Sequence, residues 1–135
     1  MSFQTASVFW VRSMHNTRTK SERKLVRQLA STAWERQLRE SLKKIGGVLS
    51  EMESGDLSPF DAAAAVHAFH NGVSRELYNK YSGSDPWFAV CRAHYDGVFS
   101  DEDFTGASDN VRAGLKLFAE QFRELHDLVE TNHAE

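Results

Sequence analysis

The chain of 135 residues contains one cysteine, two prolines and no apolar run long enough to span a membrane. A single cysteine, Cys91, excludes an internal disulfide framework. It points to a reducing, cytoplasmic setting. Both prolines, Pro59 and Pro86, stand where they start helices rather than interrupt them. Alternating apolar and polar runs are missing, which removes the usual strand signal. No Gly-x-Ser-x-Gly elbow, phosphate-cradling glycine loop, internal repeat or low-complexity tract occurs, so no motif names a reaction.

The first residues also lack the basic region of an export signal. Arg12 is the only arginine there and it follows Phe9 and Trp10 instead of preceding them. Residues 1–18 are expected to be an extended or disordered segment ahead of a single helical domain over 19–135. Met14 would serve equally well as a start. The functional alternative for this segment is a short amphipathic docking element led by Phe9 and Trp10.

What remains is an ordinary globular composition, 41% hydrophobic and 26% charged, sufficient for one domain with its own core. Helix starts are legible. Thr19–Glu22 and Thr32–Glu35 fit the capping box, in which a hydroxyl and a carboxylate each satisfy one orphan backbone donor. Ser58 precedes Pro59 and Asp85 precedes Pro86, two cap-then-proline starts, while residues 107–110 open a last helix.

These signals predict an all-α antiparallel bundle of four to five helices, over 19–30, 33–53, 59–82, 86–96 and 109–131. A break at Ser31–Thr32 is expected. Leu25, Val26, Leu29, Ala30 and Ala33 share one helical face, whereas Trp34, Leu38, Leu42, Ile45, Leu49 and Met52 share another. The second face is rotated from the first by roughly 130° at 100° per residue. In the last helix, Val111, Leu115, Phe118, Phe122, Leu125 and Val129 step by four and three, as a bundle seam does.

Two helices aim histidines at their apolar faces. His70 falls among Val66, Phe69 and Val73 with His67 at the margin, and His94 falls among Trp87, Val90 and Cys91. Residues three apart share a helix face, so His67 with His70 and Cys91 with His94 present two ligand pairs that suit tetrahedral zinc. The plainer reading makes His70 and His94 neutral core residues, bonded to Ser74, Tyr81, Tyr95 or a backbone carbonyl. A third reading puts a histidine in the wall of a small-molecule pocket. A Cys91–His94 nucleophile pair is disfavoured because an apolar face hides a thiol and raises its pKa.

Asp101 to Arg112 imitates a calcium loop but carries a cation where the bidentate acid belongs. Ser100 is expected instead to cap a short turn through Asp103. The one Glu-x-x-His pair, Glu130 to His133, is terminal and no basis for a di-iron centre.

Charge is segregated. Residues 1–47 carry ten basic against three acidic side chains, and the rest carry six against sixteen, so +7 faces −10. Arg23, Lys24, Arg27, Arg36, Arg39 and Lys43 are the candidate basic interaction surface. Glu35 with Arg39 and Glu40 with Lys44 are expected to pair along the helix. A pI of about 6.1 and the lack of interleaved aromatics argue against nucleic acid. The function expected is non-catalytic protein–protein interaction or self-association. The alternative is a metal- or ligand-binding bundle using His67, His70, Cys91 and His94, and the third is a nucleic-acid accessory role.

Overall fold

The computed structural model describes residues 18–83 and 85–133, and every regular element among them is helical. Helix α1 spans Lys20–Glu53, α2 Pro59–Phe69, α3 Arg75–Tyr81, α4 Trp87–Tyr95 and α5 Asp109–His133. A π turn at His70–Ser74 joins α2 to α3, and a 3-10 turn occupies Asp101–Phe104. The expectations for Phe9, Trp10 and Met14 lie outside the described residues.

Most of the start signals act as the local chemistry dictates. Glu22 N–H donates to the Thr19 hydroxyl at 3.1 Å while Thr19 N–H donates to the Glu22 carboxylate at 2.8 Å, closing a capping box at α1. Asp61 N–H donates to Ser58 Oγ at 3.1 Å, Trp87 N–H to Asp85 at 3.2 Å and Val111 N–H to Ser108 Oγ at 3.2 Å. Ser100 and Asp103 form a reciprocal box around the 3-10 turn. At the other end of α1, Gly55 adopts φ +87°, a left-handed conformation that glycine reaches without strain.

The expected break at Ser31–Thr32 does not occur. The helix runs unbroken from Lys20 to Glu53, and Thr32–Glu35 lies within it rather than at a start. The two apolar faces belong to two compact units: residues up to 30 together with 85 onward, and residues 31–84. Within the first, Val26, Leu29 and Ala30 are buried. Within the second, α1 turns Trp34 and Gln37 towards α3. A shift of apolar face can thus mark a change of neighbour with no change in backbone.

The first unit has a dense interior of Val26, Trp87, Val90, Cys91 and Val111, with Leu115 and Phe118 from α5. Its edges are aromatic: Phe88 and Phe118 meet edge-on at 5.3 Å, Phe118 stacks on Phe122 at 5.6 Å, and Tyr95 meets Phe122 at 4.7 Å. Arg18 is buried, its guanidinium 4.6 Å over the Trp87 ring and 3.1 Å from Asp85. A buried cation needs that pairing, because desolvation alone would expel it.

The second unit is a helical hairpin. A short connection at 54–58 folds α2, the π turn and α3 back along α1. Trp34 stacks on Tyr81 at 6.4 Å and meets Tyr78 edge-on at 5.9 Å, while the Tyr81 hydroxyl donates to Gln37 at 2.6 Å. Ala62, Leu77 and Tyr81 are buried.

Candidate interaction surface and histidine cleft

The π turn decides where His70 goes. A wheel at 100° per residue carries the buried face from Phe69 through Val73 to Leu77, with His70 inside it. Five residues of wider turn at 70–74 absorb extra rotation, since a π turn takes more residues per revolution. Ala62, Leu77 and Tyr81 stay buried, while Val66, His70 and Val73 are exposed. The expectation of His70 as a core residue is therefore corrected: its ring faces solvent. His67 is also exposed and its Nε2 lies 2.9 Å from Asn71 Nδ2.

The four expected ligands divide between the two units, His67 and His70 in the hairpin, Cys91 and His94 in the other. Cys91 is fully buried, and desolvation pushes its thiol well above the ordinary range, which suits packing rather than ligation or attack. Among the described residues, three metal-capable groups come within 4.8 Å of one another at His126, Asp127 and Glu130, all exposed on α5 and none in the expected set.

His94 is half-buried, its ring edge-on to Phe104 at 5.5 Å. Its Nδ1 is buried with no hydrogen-bond partner among the described residues, and burial lowers its pKa. The ring lines a cleft of about 430 Å³ whose other walls are apolar at Phe104, Leu115 and Ala119, cationic at Arg112, Lys116 and Arg123, and acidic at Asp101 and Glu120. Arg112 is partly committed already, donating to the Phe104 carbonyl at 2.6 Å.

The expected basic residues are all exposed, but they form no single free patch. Arg23 donates to the Arg18 carbonyl at 2.7 Å, Arg39 pairs with Glu35, and Lys43 pairs with Glu40 at 3.0 Å. Lys43 takes the partner that spacing had assigned to Lys44. Lys24, Arg27 and Arg36 complete the set along α1.

A different surface emerges on the hairpin. Leu42 and Leu49 on α1 keep 47% and 41% of their surface exposed, and Val66 and Val73 on the return arm keep 41% and 42%. Each pair is one heptad apart. Beside them a depression of about 470 Å³ runs along α1, lined by Glu35, Leu38, Arg39, Leu42 and Lys43. Leu38, Ile45, Val48, Met52 and Phe69 are only half-buried. Sequence reasoning found these apolar residues but assigned them to a closed core, since periodicity identifies a face and not what covers it. No helix among the described residues is long and apolar enough to cross a membrane, so this face is not part of a span.

No protein-family model, curated protein or solved structure matches this chain.

Proposed function

We propose that the chain is a non-catalytic helical interaction module whose contact surface is the hairpin over residues 31–83. One observation carries this reading: four large aliphatic side chains, Leu42, Leu49, Val66 and Val73, stand two-fifths or more exposed at heptad spacing on both arms. Two-helix units gain most of their stability from burying such faces, so an open one favours a protein partner. The lone buried cysteine supports a reducing, cytoplasmic setting for that encounter. A photo-crosslinking residue at position 49, activated in cells that make the protein, tests it. An adduct to a second chain is the expected result. No adduct, or one confined within the same chain, would overturn the reading.

A second reading, a small anionic ligand in the His94 cleft, draws on the unpartnered Nδ1 and the nearby cations Lys116 and Arg123. It retains one of the four residues expected as ligands. Amide chemical shifts followed through a titration with inorganic phosphate or a small carboxylate test it. Perturbations confined to residues 94–123 support it, and a flat titration removes it.

A further inference from the structure

We infer that the occupant of the hairpin face is a second copy of this chain, docked antiparallel so that two hairpins complete a four-helix bundle. The inference rests on the interaction reading above and adds the identity and direction of the partner.

Direction follows from charge. The middle of the hairpin's length divides it into two ends. The tip, residues 45–70, carries Glu51, Glu53, Asp56 and Asp61 and no lysine or arginine, a formal charge of −4. The root, residues 31–44 with 71–84, carries six basic and three acidic side chains, a formal charge of +3. Two parallel copies would set tip against tip and root against root, like charge on like. Two antiparallel copies set each acidic tip on the partner's basic root, and a two-fold axis repeats the favourable contact at both ends.

The backbone supports the same crossing point. Gly46 and Gly47 lie inside α1, where glycine weakens a helix relative to alanine. Nothing in the chain lies within 4 Å of where a Cβ would sit on either, so the chain's own packing does not require them. Gly46 falls between Leu42 and Leu49 on the same side of the helix, at the centre of an antiparallel overlap, where a missing side chain lets a second helix approach closely. On the return arm Val73 lies within the π turn at 70–74, and both Val66 and Val73 are exposed.

Charge reversal at the two ends tests pairing and direction together. Glu51→Lys with Glu53→Lys takes the tip from −4 to 0, and Lys44→Glu with Arg75→Glu takes the root from +3 to −1. All four positions are exposed and none of them has a part in the buried contacts described above. Sedimentation equilibrium of the full chain at low salt is the readout. The wild type should dimerise with a dissociation constant in the micromolar range, about 10 µM or tighter. Each double variant alone should weaken that by about tenfold, and an equimolar mixture of the two should recover to within about threefold of wild type. Recovery on mixing also reports that both variants are folded, and far-UV circular dichroism checks it independently. A wild type that stays monomeric at about 100 µM overturns self-pairing. Double variants that dimerise as tightly as wild type overturn the antiparallel direction, as does a mixture that stays weak. If the crosslinker at position 49 then captures a different protein, the interaction reading stands and only the second copy is lost.

Discussion

The Ser108 hydroxyl donates to the Glu22 carboxylate across 86 residues of sequence, and Ser108 at the same time caps α5 by accepting from Val111 N–H. Glu22 spends its other oxygen on Thr19 N–H at 2.8 Å. One side chain thus ties the start of α1 to the start of α5.

Those donors hold the Glu22 pKa at about 2 against an ordinary 4.5, with the Ser108 hydroxyl as the largest cause. A carboxylate with a depressed folded pKa contributes stability that is complete above its unfolded value and lost as pH falls through the folded one. Urea midpoints should therefore drop as pH falls from about 4.5 towards 2. Glu22→Gln should lower the neutral-pH midpoint and flatten the profile across that window. An unchanged acid slope in the variant would assign the effect to another group.

His94 contributes with the same sign. Burial lowers its pKa from 6.5, so the unfolded chain binds the proton more tightly. Stability contributed by the neutral ring is present above pH 6.5 and declines as acidification protonates it. The His94 ring resonances in an NMR titration should shift at a pH below 6.5.

Replacing Arg18 with alanine should destabilise the first unit by about 1–3 kcal/mol, because it removes both the cation over Trp87 and the ion pair to Asp85. Denaturation followed by tryptophan fluorescence measures it. An effect near zero would mean that desolvation of the buried guanidinium cancels the ring contact and the ion pair.

Ser31→Pro probes the continuity of α1. Ser31 is exposed, so packing is spared and only the backbone responds. Inside an unbroken helix proline should cost about 3 kcal/mol or more. At a break it would be tolerated, so a wild-type melting temperature would contradict the continuous helix.

Cys91 should be inert to a thiol reagent in the native protein and react at the rate of unfolding, since burial both hides the sulfur and raises its pKa. Labelling rates with Ellman's reagent should rise in step with urea-induced opening.

Local chemistry was legible in the sequence wherever it depends on residues a few positions apart. Thr19 and Glu22, Ser58 and Asp61, and Ser100 and Asp103 all close as their spacing dictates, because both partners ride on the same turn of chain. Thr32 and Glu35 have that same spacing and close nothing, since the helix arrives already formed from Lys20. The Glu22–Ser108 bond and the Arg18 site were invisible for the opposite reason: their partners are distant in sequence and meet only through the fold.

Sequence alone determined the all-α class, four of the helix starts, the buried half of the α5 seam from Val111 to Phe118 and the segregation of charge, since each is a property of local backbone preference or of composition; the seam's far end at Val129 is exposed. Tertiary structure decided the rest. It kept α1 whole across a change of apolar face, because one helix can serve two sets of neighbours. It inserted a π turn at 70–74 and left His70, Val66 and Val73 exposed. It also left Leu42 and Leu49 uncovered, because periodicity marks the side of a helix that is apolar, and only packing settles what lies against it.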